Sequence, residues 1–145
     1  MKADKTTEAE VKATLSEFAA AYEKHRLDKL MSLFAPDSDV TIIGARAGEK
    51  GVGAAQIKAQ FEHDWAQHQT EAVKFGQTTI SQAGSVAFVA ADTTMHIKAG
   101  AAEEKLQARL TAGLEKRGDR WLFSQMHLSL PAGLQAEGKT QHAER

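Results

Sequence analysis

Apolar side chains recur at helical spacing near the start of the chain. Four of them follow at intervals of four, three and four residues: Val11, Leu15, Phe18 and Tyr22. This spacing places them on one face of a helix. Thr7 and Glu10 stand in the order of a capping box, in which the hydroxyl caps the helix start and the carboxylate reaches back. The pattern predicts a first helix over residues 7–24.

The next stretch predicts two more helices, separated by a short strand and a loop. The buried side of the second helix is formed by Leu27, Leu30, Met31 and Phe34. Pro36 ends that helix, because proline disfavours helical geometry at the residue before it. Residues 40–43 favour a short strand, and the glycines within 44–53 favour a loop. A third helix is predicted over 54–68, with an inner face of Ile57, Phe61, Trp65 and His68.

The second half of the chain changes from helical to alternating periodicity. Extended runs cover residues 73–81, 85–98, 106–115 and 120–130. Short turns at Gly84, Gly100 and Gly118 separate them, as in an antiparallel meander. Helices followed by strands are typical of an α+β domain with helices on one face of an antiparallel sheet. Long strands twist and curl, so the predicted sheet is curved, cone-shaped and wrapped around the three helices.

The alternation predicts which side chains of the sheet face the helices. The inner set contains Leu106, Ala108, Leu110, Ala112 and Leu114, paired with Leu122, Ser124, Met126, Leu128 and Leu130. The outer face then carries three aromatic residues, Phe88, Trp121 and Phe123. Exposed aromatic patches often mark protein–protein surfaces, so we predict a homodimer interface there. Its polar members are Asp92, Arg109 and His127. The alternatives are that a bulge exchanges the two faces or that tail residues cover the patch.

Composition and charge exclude several classes of function. The 145 residues predict a single domain over 1–131 and a mobile tail over 132–145. Cysteine is absent, which excludes disulfides and thiolate chemistry. A net charge of −1 means that the chain has no excess of basic residues to attract nucleic acid or an anionic membrane. Without an apolar leader or a membrane-spanning run, a cytoplasmic protein is expected.

The order of elements and the terminal motif resemble a known superfamily. Two amphipathic helices, a strand, a glycine-containing loop, a third helix and four strands end in Trp121, His127, Ser129 and Pro131. This arrangement is similar to the nuclear transport factor 2-like (cystatin-like) superfamily, and in particular to the SnoaL-like domains. The last hairpin also resembles the association domain of calcium/calmodulin-dependent protein kinase II. The resemblance implies a half-open conical barrel with an apolar pocket, and dimers built through the outer face of the sheet.

The resemblance does not carry one activity with it. In the ketosteroid isomerases of this superfamily, an aspartate base and an oxyanion-hole tyrosine align with Ile42 and Phe18 of this chain. Neither side chain can move a proton, so that chemistry is not expected here unless Tyr22 has taken over the donor role. In the kinase association domain a pocket arginine aligns with Leu128, which disfavours an anion-binding pocket.

The predicted pocket is lined by apolar and aromatic groups. They are Phe18, Tyr22, Ile42, Phe61, Trp65, Met95 and Met126. The same residues could simply fill a core. His63, Asp64 and His68 lack the spacing of a complete metal site and are interpreted as a solvated or capping cluster near the helix end, so no metal or cofactor is expected.

Three functions remain open from the sequence. The leading one is the binding of a small, largely apolar molecule. The second is an enzyme of the isomerase, cyclase or hydratase type that uses Tyr22 and a histidine. The third is a purely structural dimerisation module.

Overall fold

A layer of helices covers one side of the protein. The computed structural model describes residues 1–132. Helix α1 spans Lys5–Glu23, α2 spans Leu27–Met31 and α3 spans Ala54–Gln67. The predicted capping box at Thr7 is wrong, because Asp4 caps α1 and accepts a hydrogen bond from the backbone N–H of Thr7 at 2.8 Å. A carboxylate at this position satisfies a free N–H and favours the positive end of the helix dipole.

Six strands form one curved sheet on the other side. They are β1 (Thr41–Ile43), β2 (Lys50–Val52), β3 (Gln69–Ala83), β4 (Val86–Ala99), β5 (Ala102–Arg117) and β6 (Arg120–Ser129). Their order in the sheet is β2-β1-β6-β5-β4-β3. The predicted α+β fold with a curved sheet is confirmed. The sheet differs from the predicted antiparallel meander in that β2 lies within the predicted loop and β1 runs parallel to β6.

Two-residue turns join the long strands of the meander. Ala83 pairs with Val86 around Gly84, and Arg117 pairs with Arg120 around Gly118. These two glycines have φ values of 60° and 65°. Glycine is suited to this left-handed geometry, and such turns match the twist of the flanking strands. They fix the register of both hairpins.

A bulge in β6 reverses the predicted direction of two aromatic side chains. Gly113 pairs with Gln125 but Leu114 pairs with Phe123, so Ser124 is an extra residue in β6. One extra residue turns every side chain before it to the opposite face of the sheet. Trp121 is therefore 4% exposed and Phe123 is fully buried, and both pack on the helix side. Their predicted place in an outer dimer interface is wrong.

Both corrected residues make specific inward contacts. The indole Nε1 of Trp121 donates to Glu10 of α1 at 2.9 Å. The ring of Phe123 lies 5.8 Å from that of Phe18 and 5.4 Å from that of Phe34, measured between centroids. The aromatic residues of β6 thus help to anchor α1 on the concave side of the sheet.

The outer face keeps the other four residues of the predicted interface. Phe88 is 48% exposed, and Asp92, Arg109 and His127 are exposed as well. Asp92 stands directly opposite Arg109, whose Nε donates to Ser129 at 3.3 Å. The predicted tail lies outside the described residues from residue 133 onward. Within residues 1–132, no helix is both long and apolar enough to cross a membrane.

Candidate functional site

A cavity lies between α1, α3 and the concave face of the sheet. About 80 Å³ of it is open to the centre of a water molecule, and the whole concavity with its mouth measures about 570 Å³. The sheet contributes Ile42, Ile43, Val73, Thr93, Met95, Leu110, Met126 and Leu128. The helices contribute Phe18, Tyr22, Gln60, Phe61 and Asp64, and Gly44 lies at the mouth. The sheet side is thus almost wholly apolar, whereas the helix side carries polar groups.

Most of the predicted pocket residues line this cavity. Those that do are Phe18, Tyr22, Ile42, Phe61, Met95 and Met126. Their contact with a ligand stays a prediction. Trp65 does not belong to the lining, contrary to the prediction. Its ring packs against Tyr22 and stacks on His25, with centroids 4.6 Å apart in the latter pair.

Asp64 also lies in a place that the sequence analysis did not predict. It is half-buried and lines the cavity instead of joining a solvated cluster. The hydroxyl of Tyr22 donates to its Oδ2 at 3.4 Å, and Nε2 of Gln60 donates to its Oδ1 at 3.5 Å. A signal for this position was present, because Asp64 follows Gln60 by four residues and Phe61 by three on one helix. We call Tyr22, Gln60 and Asp64 the polar corner of the cavity.

The apolar surroundings change the acidity of the polar corner. Burial raises the pKa of the Asp64 carboxyl from its ordinary value of 3.8 to about 6, and the negative charge of Glu49 adds to the rise. Burial also raises the pKa of the Tyr22 phenol, and the charge of Asp64 acts in the same direction. Tyr22 therefore remains a hydrogen-bond donor at any physiological pH. Asp64 exchanges its proton close to neutral pH.

A loop carrying a second carboxylate borders the mouth of the cavity. Oε1 of Glu49 accepts a hydrogen bond from the backbone N–H of Arg46 at 3.0 Å. The same oxygen lies over Gly44, where an added Cβ would approach it to 2.6 Å. Glycine at this position thus permits the Glu49 side chain to fold over the mouth.

The site has the parts for binding and for proton transfer. Ile42 and Phe18, which the sequence analysis aligned with the isomerase base and tyrosine, both line the cavity. The ionisable groups come instead from Tyr22 and Asp64 on the helix side. Within residues 1–132, no group of three or more histidine, aspartate or glutamate side chains is placed to hold a metal ion.

Comparison with known proteins places the fold in a family. The family model described as SnoaL-like domain matches residues 11–133. The chain therefore belongs to the SnoaL-like domain family. None of the curated proteins compared with the chain matches it.

Solved structures with the same fold have different assignments. A candidate scytalone dehydratase from Novosphingobium aromaticivorans is 13% identical, with a TM-score of 0.77 over 87% of this chain and 85% of that one. An NTF2-like protein of unknown function from Pseudomonas putida is 16% identical, with a TM-score of 0.76 over 98% and 99% of the two chains. A candidate association domain of calcium/calmodulin-dependent protein kinase II from Xanthomonas campestris is 24% identical, with a TM-score of 0.74 over 85% and 86%. At these identities the likeness shows the fold alone.

Proposed function

We propose that this SnoaL-like protein binds a small, largely apolar molecule in the cavity between its helices and its sheet. The observation that carries the proposal is the cavity itself, whose sheet side is apolar and whose polar atoms gather in one corner. Thr93 does not alter this division, because its hydroxyl already donates to the backbone oxygen of Ala91 at 3.3 Å. Such a distribution of groups is typical of small-molecule sites.

The energetics of an empty cavity favour an apolar ligand. An accessible volume of about 80 Å³ is well above the roughly 10–15 Å³ that one water needs, so the empty cavity has room for water. Waters beside Met95, Leu110 and Met126 find few hydrogen-bond partners there. Replacing them with an apolar group returns them to bulk solvent, and it buries apolar surface at about 25 cal/mol per Å².

A blocking substitution tests the proposal. Leu128 lines the cavity and is half-buried, so Leu128→Trp should fill the space with little strain. Val52→Trp is the matched control, because Val52 is 40% exposed and lies outside the lining. Ligand-observed NMR against a panel of small cyclic hydrocarbons, alcohols, amines and ketones should detect binding to the wild type and to the control. Binding that persists in Leu128→Trp, or no binding to the wild type, contradicts the proposal.

A second candidate function is an enzyme of the isomerase, cyclase or hydratase type. The observation that favours it is the Tyr22–Asp64 hydrogen bond inside an apolar cavity. A carboxyl with a pKa of about 6 can both take and return a proton near neutral pH. Incubation with small cyclic ketones in D₂O should then exchange the hydrogens on the carbon beside the carbonyl. Asp64→Asn should abolish this exchange and retain ketone binding, and equal exchange in both proteins excludes the role.

We also propose that the outer face of the sheet forms a homodimer. Phe88 is 48% exposed on this face, and Val86, two residues earlier in β4, is 36% exposed. Light scattering should give twice the chain mass for the wild type and the chain mass for Phe88→Lys. A wild type that stays monomeric at high concentration contradicts both the dimer and the alternative of a purely structural dimerisation module.

A further inference from the structure

The carboxylate of Asp64 has unused capacity for hydrogen bonds. Its two contacts, to Tyr22 and Gln60, measure 3.4 and 3.5 Å. These distances lie beyond the usual range of about 2.7–3.2 Å, so both bonds are weak. An ionised carboxylate offers about four acceptor positions. A ligand in the cavity can therefore approach Asp64 with a donor of its own.

The charges around Asp64 favour a positive ligand. None of the ion pairs formed within residues 1–132 includes Asp64. Glu49, on the loop at the mouth, adds a second negative charge that disfavours ionisation of Asp64. His63 acts in the opposite direction, but as the weakest of the five influences on Asp64.

Arg46 and His25 are not among the main influences on the pKa of Asp64, and the positive charges of both act on His68. Arg46 donates its backbone N–H to Glu49, and its positive charge lowers the pKa of His68. His25 stacks on the ring of Trp65 at a centroid distance of 4.6 Å. Within residues 1–132 the carboxylate of Asp64 thus has no ion-pair partner, and an unpaired charge in apolar surroundings is unfavourable.

Aromatic rings border the same space. Phe18, Tyr22 and Phe61 all line the cavity. Their centroids lie 6.0–6.3 Å apart, so the three rings form one connected aromatic wall. The faces of aromatic rings attract cations, and more so where water is excluded. The wall and the carboxylate therefore favour the same type of ligand.

We infer that the ligand of this cavity is an organic cation, a protonated amine on a compact apolar body, whose ammonium group pairs with Asp64. The apolar body lies along the sheet side, against residues such as Met95 and Met126. A neutral alcohol could share the hydrogen bonds, but it would leave the charge of Asp64 uncompensated. A carboxylate ligand would be repelled by Asp64, and the negative charge of Glu49 near Asp64 would add to the repulsion. The inference rests on the proposed binding function and specifies the charge of the ligand.

Three probes of similar size separate charge from shape. Benzylammonium, benzyl alcohol and benzoate are titrated separately into the wild-type protein at pH 7.5 by calorimetry or NMR. We expect benzylammonium to bind at least tenfold more tightly than benzyl alcohol, and benzoate to bind most weakly. Asp64→Asn should remove the preference for the amine and retain the affinity for the alcohol. Glu62→Gln is the matched control on the exposed side of α3 and should behave as the wild type.

The possible results distinguish this inference from the binding function beneath it. If the wild type binds benzyl alcohol as tightly as benzylammonium, the cavity is a binding site but the inference is wrong. The inference is equally wrong if Asp64→Asn keeps the preference for the amine. If the wild type binds none of the three probes, the proposed binding function fails, and the inference fails with it. Circular dichroism confirms that each variant is folded.

Discussion

Replacing Asp64 with asparagine should stabilise the protein at pH 8 and change little at pH 4. Asparagine has the same shape, and its amide oxygen can accept the hydrogen bond that Tyr22 donates across 3.4 Å. It carries no charge that burial could penalise. The gain in the free energy of unfolding should therefore measure the cost of burying the ionised carboxylate in the apolar cavity.

The pKa of Asp64 fixes both the sign and the pH window of this effect. The folded protein holds the proton of Asp64 up to about pH 6, whereas a carboxyl with the ordinary pKa of 3.8 has lost it well below that pH. Between these two values the unfolded chain binds fewer protons than the folded protein. The stability of the wild type therefore falls as the pH rises through this window, and the loss is complete above it.

The size of the effect follows from the same two values. A rise in pKa from 3.8 to about 6 corresponds to about 3 kcal/mol. Asp64 is only half-buried, so solvent screens part of its charge. We expect asparagine to raise the free energy of unfolding by about 1–2 kcal/mol at pH 8, and by less than about 0.5 kcal/mol at pH 4.

Urea unfolding at the two pH values measures the difference. Glu62→Gln removes an exposed carboxylate from the same helix and should give the same small change at both. An Asp64→Asn variant that is less stable than the wild type at pH 8 would refute the reasoning. So would a change that is equal at pH 4 and pH 8, because the desolvated charge would then have no measurable energy.

Three further substitutions test the packing of the fold by urea unfolding. Phe123→Ala should lower the free energy of unfolding by about 3–5 kcal/mol, because the ring is fully buried; a loss below 1 kcal/mol would place it at the surface. Trp121→Phe should lower it by about 1 kcal/mol through loss of the 2.9 Å bond to Glu10, and an unchanged value would show that this bond contributes nothing. Glu23→Ala should lower the free energy of unfolding by about 1–3 kcal/mol, because the backbone N–H of Val73, beside a register shift in β3, loses the carboxylate that accepts its hydrogen bond at 2.7 Å. A neutral effect would indicate that water replaces the carboxylate.

Periodicity predicted the elements because it reflects which side of each element is buried. Ile57 and Phe61 on α3, and Leu110 and Leu114 on β5, are all buried as their spacing predicts. The short strand β2 could not be predicted in this way. It has three residues, of which Gly51 alone is buried, so it shows no alternation of apolar side chains.

Two features of the site depend on contacts that periodicity does not express. At the bulge Ser124 has no partner in β5, because Gly113 pairs with Gln125, and the serine hydroxyl donates to the backbone oxygen of Gly113 at 3.1 Å. The alternation within β6 alone gave no sign of the extra residue. Asp64 was misplaced because a charged side chain among histidines is most often solvated. Its burial follows from α3 packing beside Tyr22, which lies 42 positions earlier in the chain.

The extra residue Ser124 divides β6 into two segments whose inward side chains have different contacts. Upstream of Ser124, the buried side chains of Trp121 and Phe123 pack against the helix layer that contains α1. Downstream, Met126 and Leu128 line the cavity. Each segment keeps its own alternation of inward and outward side chains, so a substitution at Met126 or Leu128 leaves the inward direction of Trp121 and Phe123 unchanged. Deletion of the extra residue would instead bring both segments into one alternation and turn the two aromatic side chains outward.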